Sequence, residues 1–149
     1  MRVSDEGIKL IKHFEGIHKK PYVCPAGYWT VGVGHLISRN AKLPSSWNRT
    51  FSPGEIDDLL RADLQRFELG VLRLLRPMQP TQSVFDSVVS FSFNLGLGTF
   101  QRSTVRSAFI RGDKKRAAEV LLKYCWAGGR KLKGLIRRRI AEHALLMRS

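Results

Sequence analysis

Between Phe14 and Leu36 the chain reads F-E-G-I-H-K-K-P-Y-V-C-P-A-G-Y-W-T-V-G-V-G-H-L, a carboxyl (Glu15), a thiol (Cys24) and a hydroxyl (Thr30) in one short stretch. No Asp or Glu occurs between Glu15 and Glu55, so Glu15 is the only acid of a glycine-rich, otherwise basic neighbourhood. A carboxyl there can deliver a proton as a general acid. A thiol can act as a nucleophile or base only when ionised. This grouping points to chemistry rather than packing.

The elements that must position these groups follow from local pattern. Ser4 is suited to cap a first helix, with Asp5 and Glu6 in its first turn. Ile8, Leu10, Ile11 and Phe14 form its apolar face, and Gly16 stops it. Glu15 then falls in the last turn, where the helix dipole disfavours a negative charge. Residues 21–38 are aromatic and β-branched, broken by glycine, and predict a small antiparallel sheet with a tight turn at Pro25-Ala26-Gly27. Period-two alternation puts Thr30, Gly32 and Gly34 on one face. The two glycines leave that face bare, for a substrate or for a packed helix.

A loop from Ser38 to Phe51 ends in S-P-G-E, where Ser52 caps, Pro53 opens and Glu55 closes a capping box. Apolar residues then recur at helical spacing to Arg76, a span of roughly 35 Å, with Gly70 a candidate bend. Thr81 caps a helix that is apolar almost all round and should lie at the centre of a core. Gly96 and Gly98 end it. Ser103 caps a short helix to Arg111, and another runs from Asp113 to Trp126. A last helix follows Gly129 with Leu135, Ile136, Ile140 and Leu146 inward and Arg137, Arg138 and Arg139 outward. The expected class is α+β in one domain: a β-containing N-terminal lobe over about 17–52, a connecting helix over about 53–76, and a helical lobe over about 77–149 on which helix 4–15 packs.

At 149 residues, with 43% hydrophobic content, the chain can bury a proper core. A net charge of +14 implies a polyanionic partner such as nucleic acid, an anionic membrane face or an acidic wall polymer. Two cysteines make neither a disulfide framework nor a metal-ligand spacing, so neither metal nor cofactor is expected. No apolar run approaches the roughly 20 residues of a membrane span, and the N-terminus lacks a secretory core. Three classes fit: a hydrolase using Glu15, a nucleic-acid binder using Arg137–Arg139, or a cationic module. The latter two leave the Phe14–Leu36 block without a role, and no zinc-finger or RNP-type signature appears.

The spacing Glu, eight residues, Cys, five residues, Thr, followed by Gly32, Gly34 and His35, resembles the phage-type lysozymes (endolysins), in which Asp or sometimes Cys holds the middle place. S-P-G-E, the F-N-L-G run from Phe93 to Gly96, the R-S-T segment at Arg102, W-A-G-G and R-R-R carry the resemblance over essentially the whole chain. It implies a lysozyme-like α+β fold with a cleft between lobes. The implied activity is hydrolysis of the β-1,4 bond between N-acetylmuramic acid and N-acetylglucosamine in peptidoglycan, causing host lysis. Glu15 would be the general acid and Thr30 would help place water, while His35 would orient the loop. Leu36, Phe93 and Thr104 would line the saccharide cleft. Cys24 replaces the commoner Asp: as thiolate it would form a covalent intermediate or activate water, and as thiol it would only support Thr30. A Cys24–Cys125 bridge is a further hypothesis, set against Cys125 as a small buried hydrophobe. The implied partners are peptidoglycan and an anionic envelope surface, with no specific nucleic acid and no integral membrane segment. The protein is expected to be a monomer that waits in the host cytoplasm for a holin-type pore.

Overall fold

The computed structural model describes residues 1–40 and 42–148; Ala41, in the expected loop, and Ser149, at the end of the expected helical lobe, lie outside the described residues. In order, the elements are α1 (Asp5–Glu15), β1 (His18–Val23), β2 (Trp29–Gly32), β3 (His35–Ser38), a 3₁₀ turn (Ser45–Trp47), α2 (Pro53–Leu75), α3 (Gln82–Leu95), α4 (Leu97–Gln101), α5 (Thr104–Ile110), α6 (Lys114–Leu121), β4 (Trp126–Ala127), β5 (Arg130–Lys131) and α7 (Lys133–Met147). The chain divides into two compact units, Ile11–Gln65 and Met1–Leu10 with Arg66–Ser149.

In the first unit β1, β2 and β3 form an antiparallel sheet in that order. The capping box at α2 is present: the Glu55 amide donates to Ser52 Oγ at 3.1 Å and the Ser52 amide to Glu55 Oε1 at 2.9 Å. Arg49 also pairs with Glu55 at 2.6 Å, and this guanidinium, followed by the Ser52 amide, lowers the carboxyl to about 2.

One sequence expectation fails in this sheet. The alternation through Gly34 stops at Gly32, whose φ of +68° turns the strand into a Val33-Gly34 hairpin turn with Gly34 at +72°. A Cβ at Gly32 would lie 3.3 Å from Ile56 Cγ2 of α2, so at that position a packed helix covers the bare backbone.

In the second unit α3 is the core helix, buried from Val84 through Ser92 and capped by Thr81, whose Oγ1 accepts from the Val84 amide. Gly70 sits inside an unbroken α2 because a Cβ there would come within 2.6 Å of Leu97 Cδ1. The fold departs from expectation at its end. Gly98 lies within α4, α6 stops at Leu121, and Trp126 starts the β4–β5 hairpin, whose turn uses Gly128 and Gly129 at positive φ.

The faces of α7 depart in part from expectation: Arg137 is exposed and Leu146 buried as expected, but three residues are exchanged. Ile140 is 55% exposed, whereas Arg138 and Arg139 are buried at 3% and 0%. They surround Glu142, itself fully buried. Arg138 Nε donates to Glu142 Oε2 at 3.2 Å, Arg139 Nη2 to Asn94 Oδ1 at 2.6 Å, and Ser90 Oγ to Glu142 Oε2 at 2.5 Å. Arg139 Nε lies 2.9 Å from Glu142 Oε1, yet neither atom has a hydrogen bond; misaligned, this contact is Coulombic. Burial raises the Glu142 carboxyl and lowers the Arg139 guanidinium, so desolvation outweighs pairing. These two arginines are core, not a phosphate-facing surface.

Candidate active site

Helix α1 ends at Glu15 because Gly16, at φ +81°, takes the left-handed position after it while its amide donates to the Lys12 carbonyl at 2.9 Å. The Glu15 side chain is half-buried at the entry to β1.

Strand β1 leads to Cys24, where the β1–β2 connection begins. The Gly27 amide donates to the Cys24 carbonyl at 2.8 Å and the Cys24 amide to the Tyr28 carbonyl at 2.9 Å. Pro25 suits the second position of such a turn, and Gly27, at φ +87°, the left-handed place that closes it. The turn aims backbone N–H groups at the sulfur. The thiol is lowered chiefly by hydrogen bonding from the Tyr28 amide; desolvation opposes, and the Thr30 hydroxyl and the Ala26 and Gly27 amides add to the lowering. Such a cluster of donors stabilises an anion.

Thr30 is 5% exposed on β2. Its Oγ1 donates to the Tyr28 carbonyl at 3.0 Å. A hydroxyl has one proton, so a bond to the Cys24 sulfur competes with this one, and its lone pairs stay available to accept. Tyr22 on β1 and Leu36 on β3 are both register partners of Thr30, so Tyr22, Thr30 and Leu36 form a row across one face of the sheet. Burial, then the charges of Cys24 and Glu15, raise the Tyr22 phenol. Its hydroxyl therefore feels both groups, which share one neighbourhood. Sequence reasoning missed Tyr22; its position two before Cys24 on a strand was the available signal.

His35 Nδ1 lies 2.9 Å from Asp63 Oδ2, and its ring stacks on Trp47 at 5.6 Å, which in turn stacks on Phe51 at 5.5 Å. These contacts fasten β3 to α2 and to the 3₁₀ turn. Asp63 was unrecognised as a site element because it lies in α2, far from His35 in sequence.

The remaining expected site residues divide. Leu36 is 39% exposed beside Thr30. Phe93 and Thr104 belong to the other unit. There Phe93 packs edge-on against Phe67 at 5.2 Å, and Thr104 is the exposed first residue of α5. Both cysteines carry free thiols, and Cys125 is 3% exposed, consistent with a small buried hydrophobe. Among the described residues no group of His, Cys, Asp and Glu is arranged to hold a metal, and no helix is long and apolar enough to cross a membrane.

Comparison with known proteins gives one family. The phage lysozyme model matches residues 12–142. The chain is 38% identical over 149 residues to an endolysin of Bacillus phage B103, covering 99% of this chain and 54% of the relative, so it spans about half that protein's length. It is 33% identical to an endolysin of Acyrthosiphon pisum secondary endosymbiont phage 1, covering 97% of each. The muramidase domain of SpmX from Asticaccaulis excentricus has the same architecture, with a TM-score of 0.86, 32% identity and 99% of both chains covered.

Proposed function

The chain belongs to the phage lysozyme family, and on that premise we propose that it is an endolysin hydrolysing the β-1,4 bond between N-acetylmuramic acid and N-acetylglucosamine in peptidoglycan. The observation that carries this reading is the Glu15–Cys24–Thr30 grouping: a carboxyl at a helix end, a thiol ringed by amide donors, and a hydroxyl beside that thiol. Glu15 protonates the leaving glycosidic oxygen as general acid. Thr30 accepts from the attacking water through its free lone pairs. Cys24 works as thiolate, the second ionised group that other glycosidases take from a second carboxylate. Its lowered thiol supports that role. His35, held by Asp63 and Trp47, keeps β3 in place beside Thr30. Leu36, Phe93 and Thr104 contact the saccharide in this proposal, resting on the family resemblance.

The anionic wall and envelope concentrate a +14 protein at low salt. Action as a monomer, and release to the wall through a membrane pore, belong to the same proposal and rest on the resemblance. The test is turbidity loss of chloroform-treated Gram-negative cells. Glu15→Gln and Cys24→Ala are expected to be inactive, and Cys24→Asp active. Wild-type lysis by Glu15→Gln would end the reading. Equal lysis by Cys24→Ala and wild type would remove Cys24 from the chemistry. Inversion at the anomeric carbon assigns the thiolate as base, and retention as nucleophile.

A further inference from the structure

One stretch of the unit containing residues 66–149 lies outside the residues proposed for that chemistry. Between Glu119 and Glu142 the chain holds no Asp or Glu, while Lys123, Arg130, Lys131, Lys133 and Arg137 are all exposed. Large apolar side chains lie exposed among them: Trp126 at 60%, Ile140 at 55% and Leu132 at 39%. In the hairpin Trp126 stands opposite Lys131 and Ala127 opposite Arg130. Opposed residues share a face and neighbours alternate. Cys125 is buried and its carbonyl accepts from the Leu132 amide at 3.0 Å, so the Cys125–Leu132 pair takes the inner side. Trp126 and Lys131 therefore point outward together. On α7, Lys133, Arg137 and Ile140 recur at helical spacing on the exposed stripe, away from buried Arg138, Arg139 and Glu142.

An exposed tryptophan opposite Lys131, with further exposed cations and Ile140 in the same stretch and no acid in it, has the composition of a surface that lies in a lipid headgroup layer. The indole suits the boundary between acyl chains and water, and the cations suit lipid phosphates. A neutral glycan would stack on the ring without needing the cations. A nucleic acid would meet the cations and leave Ile140 uncovered. We propose that the β4–β5 hairpin and the exposed stripe of α7 form a docking surface for an anionic phospholipid membrane. Trp126 seats at the headgroup boundary, and Lys131, Lys133 and Arg137 meet phosphates. This inference rests on the surface of one unit and not on the glycosidase reading.

Co-sedimentation of the full chain with vesicles of equal parts phosphatidylglycerol and phosphatidylcholine tests it, with pure phosphatidylcholine vesicles in parallel. Each variant is first matched to wild type in far-UV circular dichroism. The wild type binds the anionic vesicles only. Trp126→Ala binds about tenfold more weakly. Lys131→Glu with Lys133→Glu binds at least about 25-fold more weakly, at about fivefold per charge removed. Arg111→Glu with Lys115→Glu makes the same charge change at exposed positions outside the stretch and stays within about threefold of wild type. Equal loss in that control, or wild-type binding by Trp126→Ala, overturns the proposal. So does a Trp126→Ala variant that keeps vesicle binding and loses retention on lipid-free peptidoglycan.

Discussion

Replacing Glu142 by alanine tests the account of the helical core most severely. The carboxylate is fully buried between two arginines that are 3% and 0% exposed, and it accepts from Ser90 Oγ, Arg138 Nε and Arg139 Nη2. Removing it takes away the carboxylate that Arg138 and Arg139 share, in a place water does not reach. Breaking one side of a buried ion pair costs about 3–5 kcal/mol, and a chain of this size loses about 2–4 °C per kcal/mol, so Tm should fall by about 10 °C. Replacing all three charges together, as Arg138→Met, Arg139→Met and Glu142→Leu, should recover most of that loss, because the ionised cluster is a desolvation cost that pairing only partly offsets. The pH dependence has a defined sign. A carboxyl raised by burial contributes stability that is present at low pH and lost as pH rises through its folded value. Thermal unfolding followed by circular dichroism reads both effects. A Glu142→Ala variant within about 2 °C of wild type would refute the buried-network account.

Other outcomes follow from single contacts. Glu55 is lowered to about 2, so the stability it adds is present above the ordinary value of 4.5 and is lost as pH falls from there through about 2; Arg49→Ala should flatten that part of the stability–pH curve. Ser52→Ala, which removes the α2 cap, should cost about 1 kcal/mol in urea unfolding. The alkylation rate of Cys24 with iodoacetamide should titrate below the ordinary thiol value of 9.0, and Thr30→Val should move it only part of the way back, since the Tyr28 amide is the larger cause. At Gly7 a Cβ would lie 2.5 Å from Val3 Cγ1 and 2.8 Å from Asp86 Cγ, both on buried residues. Gly7→Ala should therefore destabilise by about 1–3 kcal/mol despite its better helix propensity, measured by the same unfolding.

What the sequence made legible was local. The Ser52–Glu55 capping box, the turn at Pro25-Ala26-Gly27 and the core helix after Thr81 each follow from neighbours a few residues apart, and each is present. The proposed Glu15, Cys24 and Thr30 grouping rests on the same kind of short-range pattern. The buried pair in the arginine run, Arg138 and Arg139, was misread because charges usually face water. Its burial depends on Ser90 and Asn94, far away in the chain, although Glu142 at three and four positions from Arg139 and Arg138 was a usable sign. The β4–β5 hairpin was absorbed into helices even though Gly128-Gly129 is a hairpin signal, because two-residue strands have no period to read. Gly32 shows the same limit: its positive φ and its approach to Ile56 are tertiary facts.

The central claim is that Glu15 delivers a proton to a glycosidic oxygen of peptidoglycan. Digestion of purified, lipid-free sacculi, with mass-spectrometric identification of the new reducing ends, tests it most directly. Wild type should release fragments ending in N-acetylmuramic acid, and Glu15→Gln should release them at least about 100-fold more slowly, the scale of a lost general acid. Reducing ends of N-acetylglucosamine, or a Glu15→Gln variant as fast as wild type, would contradict it.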